Sequence, residues 1–260
     1  MSTVDLRAGD AAELRSVWAG PVIDADVHVN LPSIDALKSD LPEVWVEYIE
    51  ETGFRAPPQT PTLYPPGVSL TLDPRWARAD GGVAASDLGM LQADLLDPFG
   101  VERAIVSCYW GVDQIRHPDF SLALAQALND WLVREWLERD QRLRGSIVVP
   151  STVPEDAAAE IDRLGGHPSV VQVLLPVRSS RLYGQRVWRP MWEAIERNDL
   201  VAGIHYGGVP DGPPSPAGAA SWFLEDYVTH MQVFQAQLAS LIGEGTFERF
   251  PNLRVSMLEA

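Results

Sequence analysis

Six short runs rich in apolar and β-branched residues recur along this chain, each separated from the next by a longer stretch with helical spacing. That alternation constrains the fold more than any other feature. The runs are VIDADVHV (22–29), VERAIVSCY (101–109), LRGSIVVP (143–150), SVVQVLLPV (169–177), LVAGIHYGG (200–208) and FPNLRVSMLEA (250–260). Runs of this kind suit strands covered on both faces, and the stretches between them suit helices that cross from one parallel strand to the next. Ser86 reads as the cap of a helix closed by Pro98 and Gly100, and residues 119–139 place Leu124, Leu128, Trp131 and Leu132 on one stripe. Pro154 opens the next helix. Trp188, Trp192 and Ile195 mark another, and Tyr227, Met231, Phe234, Leu238 and Leu241 mark the last.

A βα succession closes into an eight-stranded barrel or opens into a doubly wound sheet. No Gly-rich turn follows the first run, where a dinucleotide-binding sheet would hold a pyrophosphate, so the barrel is the expectation. The reading is of one barrel domain over residues 1–260, interrupted by an insertion at about 30–85. Its Pro and Gly, as in RAPPQTPTLYPPG, forbid regular structure, so it reads as a long loop carrying short helices, and such an excursion from a scaffold strand is expected to be a lid or binding loop.

The formal charge of −16 disfavours nucleic acid or an anionic membrane as partner, since polyanions select for Lys and Arg. Cys108 is the only cysteine, which rules out an intrachain disulfide and fits a reducing cytoplasm. The first residues, MSTVDLRAGDAAELRSVWAGP, have neither a basic leader nor a long apolar run. A cytoplasmic protein with a small-molecule substrate is therefore expected.

In VIDADVHVN, Asp24, Asp26 and His28 recur with a period of two and share one face of the strand. Such groups on a buried face are costly unless paired or bound to a cation. Carboxylate oxygen together with imidazole nitrogen suits Zn²⁺, Mn²⁺ or Fe²⁺. The residues alone leave a second reading open, in which Asp26 only orients His28 by a hydrogen bond.

VIDADVHVN, followed five strands in by VAGIHYGG, with the segments 109–150 and 245–260 between and after, resembles the amidohydrolase superfamily. The similarity is to its amidohydrolase-related branch, which includes γ-resorcylate and aminocarboxymuconate-semialdehyde decarboxylases, and it extends from about Pro21 onward. It implies a (β/α)₈ TIM-barrel-like metal-dependent hydrolase fold, with Asp26, His28 and His205 as ligands of a divalent metal, Zn or Mn foremost. That family completes its metal site with an Asp at the end of strand eight, and decarboxylating members carry a His near the end of strand six. Here the chain stops at Ala260 after the sixth run, and Glu259 stands at or beside that His position. The expectation is a barrel truncated after strand six, either a fragment or a chain whose open edge is covered by a homo-oligomeric or other partner.

Glu259 and Asp24 are the candidates for proton transfer. Arg178, Arg181 and Tyr183 follow the fourth run at the expected active end, where an arginine suits a substrate carboxylate, and Trp110 lies just past the second. His117 is assigned to a loop or helix start, His167 to a turn, and His230 to a packed helix face. The implied activity is metal-dependent hydrolysis of a C–N or C–O bond, or decarboxylation of a small aromatic or enolic acid. The alternative is a non-catalytic, incomplete barrel that binds a homologous chain.

Overall fold

The first apolar run extends as β1 (Val22–His28), and each of the other five becomes a strand in turn: β2 (Val101–Ser107), β3 (Leu143–Val148), β4 (Val170–Pro176), β5 (Val201–His205) and β6 (Arg254–Leu258). The computed structural model describes residues 6–57, 78, 80–207 and 222–260. All the pairings are parallel, and the strand order is the sequence order, β1 to β6. The register places His28 beside Ser107, Pro176 beside His205, and His205 beside Leu258.

The helices are α1 (Leu6–Val17), α2 (Glu43–Thr52), α3 (Leu88–Leu91), α4 (Pro118–Leu132), α5 (Pro154–Leu164), α6 (Arg189–Arg197), α7 (Phe223–Gly243) and α8 (Thr246–Arg249). Between β2 and β6 the chain crosses through α4, α5, α6 and then α7 with α8, as parallel strands require. Pro154 and Pro190 occupy first-turn positions, where a missing N–H costs nothing. Trp192, Met191 and Ile195 of α6, and Ala157 and Ile161 of α5, are buried in the same apolar core as Val173 and Ile204 of the sheet. Each large side chain buried in this way contributes about 1.5–3 kcal/mol. A polar clasp joins α4 to α5: the Asn129 amide donates to Glu160, which also accepts from Arg163.

In a flat sheet, strands four places apart are separated by about 19 Å, at about 4.8 Å per step. The Nε2 atoms of His28, on β1, and His205, on β5, are 2.9 Å apart. The sheet therefore curls into a partial barrel whose first and fifth strands meet across its interior. Gly203 permits part of that curl, since a Cβ there would fall 2.7 Å from the Gln172 side chain and 3.0 Å from Leu258. Six parallel strands in sequence order, curled in this way, are the first six of a (β/α)₈-type barrel, as the alternation of runs implies. Among the described residues β1 pairs only with β2, and β6 only with β5.

One local expectation is corrected. Asp87, not Ser86, caps α3, its carboxylate accepting from the Met90 amide at 3.0 Å, while the Ser86 hydroxyl donates to the Val83 carbonyl. An N-terminal helix, α1, is present where the mixed polar sequence carries only weak periodicity. Within the insertion, the short helices expected of that loop are a 3₁₀ turn (Ile34–Leu37) and α2. Most of its proline-rich stretch, at 58–77, and the loop at 208–221 lie outside the described residues.

Candidate metal centre

Four side chains from three strand ends converge at the C-terminal end of the sheet. One potential ligand atom from each of Asp26, His28, His205 and Glu259 lies within 4.8 Å of all the others. The pleat of β1 turns Asp24, Asp26 and His28 to one face, while Ile23 and Ala25 are exposed on the other and Val27 and Val29 are buried in the core. The β1–β2 register slips between Asp24 and Val27, and across this irregularity the Asp24 carboxylate accepts a hydrogen bond from the Asp26 amide at 3.2 Å. Bulges of this kind re-aim side chains beside functional sites. Asp24 itself remains outside the four-donor group, so the structure places it behind Asp26 and not among the donors.

Asp26 bridges the two imidazoles, 3.6 Å from Nε2 of His28 and 3.3 Å from Nε2 of His205. Behind each ring an oxygen holds the other nitrogen: Ser107 Oγ lies 3.3 Å from Nδ1 of His28, and the Tyr206 carbonyl accepts from Nδ1 of His205. Both Nε2 atoms are thereby turned to the centre, the arrangement that outer-shell partners give to metal-binding histidines. Glu259 Oε2 approaches His205 Nε2 to 3.7 Å from the end of β6. It has a left-handed backbone, φ 54°, a conformation that costs a non-glycine residue about 1–2 kcal/mol. Side-chain exposure rises from 4% at His205 through 22% at Asp26 and 34% at His28 to 53% at Glu259, so the centre has a closed floor at β5 and opens towards Glu259.

Burial lowers the His28 pKa, and the neighbouring His205 adds to that; the nearby carboxylates oppose the shift without overcoming it. For His205 burial is again the largest influence and pulls downward, but the hydrogen bond and charge of Asp26, the Tyr206 carbonyl and Glu259 together raise its pKa. Without a cation, one proton is best held on His205 between two carboxylates, with His28 neutral. Two imidazoles and two carboxylates form a donor set of intermediate hardness, and among the described residues no other such cluster occurs.

The residues after β4 separate. Arg178 is buried, its guanidinium 5.0 Å above the Tyr206 ring and its amide bonded to the Gly207 carbonyl, which places it against the end of β5. Arg181 is exposed on the loop. Tyr183 is wholly buried, its hydroxyl donating to the Pro176 carbonyl at 2.9 Å and its ring packed on Trp188 and Trp192. The reading of Tyr183 as a substrate-binding residue is corrected: a side chain closed on every side by the core has no surface to offer. Trp110 packs edge-on to Phe54 at 6.3 Å, within an aromatic group that links the insertion to α4 through Phe120. His117 caps α4, and His167 accepts from the Ser169 amide in a turn; the side chain of His230 lies outside the described residues.

Sequence reasoning missed Tyr109 and Gly207. The Tyr109 ring lies 5.1 Å from His205 and 6.5 Å from His28. Its hydroxyl is buried and has no hydrogen-bond partner among the described residues, a situation that costs about 1–3 kcal/mol. Gly207, with φ 136°, lets this ring in, since a Cβ there would fall 2.1 Å from the hydroxyl. The one available signal was Gly207 in HYGG, since a glycine marks a place where a close approach is possible.

A family model described as amidohydrolase matches residues 23–260. A γ-resorcylate decarboxylase from Polaromonas sp. (strain JS666 / ATCC BAA-500) is 27% identical over 173 residues, 62% of this chain and 52% of that protein. The chain thus spans about half the length of this curated relative. Among solved structures, an amidohydrolase from Mycobacterium avium subsp. paratuberculosis K-10 superposes with a TM-score of 0.64 at 20% identity, covering 93% of this chain and 73% of that one. A 5-carboxyvanillate decarboxylase from Novosphingobium aromaticivorans DSM 12444, complexed with manganese and 4-hydroxy-3-methoxy-5-nitrobenzoic acid, gives a TM-score of 0.63 at 19% identity, covering 92% and 65%. No helix among the described residues is long and apolar enough to cross a membrane. With its family match running from the first strand to the last residue, the chain belongs to the amidohydrolase family.

Proposed function

We propose that this chain carries the metal centre of a carboxy-lyase that removes CO₂ from a small aromatic acid. The observation that carries the reading is the convergence of Asp26, His28, His205 and Glu259 within 4.8 Å at the open end of the sheet. Asp26, His28 and His205 would hold a divalent ion, manganese or zinc, with Glu259 at the exposed side. When bound, such an ion supplies Lewis-acid character towards the oxygens of an acid and its neighbouring hydroxyl.

The chain's own residues supply the remaining needs. Breaking the C–C bond to the carboxylate leaves its electron pair on the ring carbon, which must then take a proton as CO₂ departs. Glu259 is the carboxyl exposed at the mouth, and it is assigned the proton. Arg178, the one buried arginine among the described residues, supplies positive charge near the end of β5 for an acid substrate. Trp110 contributes an apolar wall towards the insertion, and Arg181 at most a rim charge. The decarboxylases among the relatives favour C–C cleavage over hydrolysis, and nothing in the comparisons supports a non-catalytic scaffold.

A homo-oligomer is part of the same reading, supported by the exposed apolar row Leu224, Val228, Met231, Leu238 and Ile242 along α7. Light scattering on the purified chain checks it, with a multimer expected and a monomer contradicting it. The activity is tested by loading the protein with Mn²⁺ and offering γ-resorcylate and 5-carboxyvanillate. The expected result is CO₂ release that disappears in Glu259→Gln and after chelation. Turnover that survives both treatments overturns the assignment.

A further inference from the structure

We infer that Tyr109 is a substrate-contacting residue, its hydroxyl donating a hydrogen bond to an anionic oxygen of the acid bound at the metal centre. The inference rests on the proposed lyase reading and deepens it by naming a donor that the four-residue cluster lacks. Three independent observations meet at this side chain.

The first is position. Tyr109 follows β2 by two residues, and its ring lies against both imidazoles of the centre, 5.1 Å from His205 and 6.5 Å from His28. The second is an unmet need. The hydroxyl is out of contact with water and finds no acceptor among the described residues, although a buried tyrosine hydroxyl ordinarily has one, as Tyr183 does on the Pro176 carbonyl. The third is accommodation. Gly207, directly after the turn that follows His205, adopts φ 136° and leaves the hydroxyl the space that any Cβ would fill. The chain thus gives up a side chain and a favourable backbone conformation to seat a hydroxyl that bonds to nothing among the described residues. Unsatisfied polar groups at such places are retained for a ligand more readily than for stability.

The chemistry of the side chain fixes the direction of the bond: a phenol, with an ordinary pKa of about 10, is a donor at neutral pH. The centre itself is acidic, with Asp24, Asp26 and Glu259 all acting on His28. An anionic acid entering it needs donors and positive charge on the opposite wall. Arg178 and Tyr109 both lie against the chain just after His205, Arg178 through Tyr206 and the Gly207 carbonyl, Tyr109 through the Gly207 α-carbon. Tyr109 thus supplies the donor, and Arg178 positive charge along the same stretch of chain, for a carboxylate or phenolate oxygen.

The test uses the full chain loaded with Mn²⁺, with 4-hydroxy-3-methoxy-5-nitrobenzoate as probe, and compares the natural protein with Tyr109→Phe by calorimetry, metal analysis and thermal melting. The variant keeps the ring and removes only the hydroxyl. The expected result is an unchanged metal content, a melting temperature equal to or above that of the natural protein, and probe binding at least tenfold weaker. Equal binding by the two proteins overturns the inference. So does a lower melting temperature in the variant, which would show that the hydroxyl is already bonded within the fold. A natural protein that takes up Mn²⁺ but binds no probe also overturns it while leaving the metal centre standing. Failure of the lyase reading itself shows separately, as a natural protein that takes up no Mn²⁺.

Discussion

The ends of β1 and β5 and the segment that follows β4 lie at the same end of one sheet, yet they treat their polar side chains in opposite ways. At the first, Asp26, His28 and His205 are drawn to a single point, with Nε2 atoms 2.9 Å apart and a carboxylate between them. At the second, Arg178, Tyr183 and Arg181 are sent to a wall, to the core and to solvent. The difference is one of backbone. A strand residue inherits its direction from the pleat and its height from the register, so a period of two in sequence becomes a shared face. Past the last ladder bond neither rule applies, and each side chain goes where local packing is best.

The largest effect that sharpens this contrast is expected from Tyr183→Ala. Removing a fully buried aromatic ring costs about 3–5 kcal/mol. Denaturant unfolding should show that loss with metal binding retained at temperatures where the variant is folded; loss of the metal with stability intact would return Tyr183 to the site. A smaller effect belongs to the 3₁₀ turn (Val112–Gln114) that follows β2, where burial raises the Asp113 carboxyl to about 6. Between about pH 4 and 6 the folded chain holds a proton there that the unfolded chain has released, so stability should fall as pH rises through that window, by about 2–3 kcal/mol. Asp113→Asn should flatten that slope in melts across the range, and an unchanged slope would contradict the assignment.

Smaller again is the expected loss from Asp24→Ala. Its carboxylate holds the Asp26 amide across the slip in β1, so Mn²⁺ affinity should drop by about tenfold, the lower end of what second-layer partners of metal sites supply. Titration of the variant with an affinity unchanged within twofold would mean that the slip holds Asp26 unaided. Arg181→Ala is expected to change stability by no more than about 0.5 kcal/mol, as exposed positions do. A larger loss by the same unfolding measurement would mean that the loop is closed over something.

The parts of the molecule governed by periodicity were legible from the residues. The six strands, their parallel order and the common face of Asp24, Asp26 and His28 follow from alternation alone. So does the presence of His205 at a strand end. What periodicity does not carry is the closure of the curve that joins β1 to β5, because it depends on side chains inside the barrel such as Gln172 and Gly203. Nor does it carry the slip that moves Asp24 behind Asp26, or the cap at Asp87, one residue past the serine that the sequence offered. Tyr109 was hidden for a different reason. As the last residue of an apolar run it passes for core, and only the glycine across from it, at a positive φ, shows that the contact needed special room.

The account stands on the claim that β1 and β5 meet around a metal ion. The most direct test is elemental analysis of protein purified without chelator, beside His28→Ala and His205→Ala. The account expects about one equivalent of manganese or zinc in the natural chain and a loss of most of it in both variants, with folding by circular dichroism unchanged. A folded natural chain without metal, or variants that keep theirs, would contradict it.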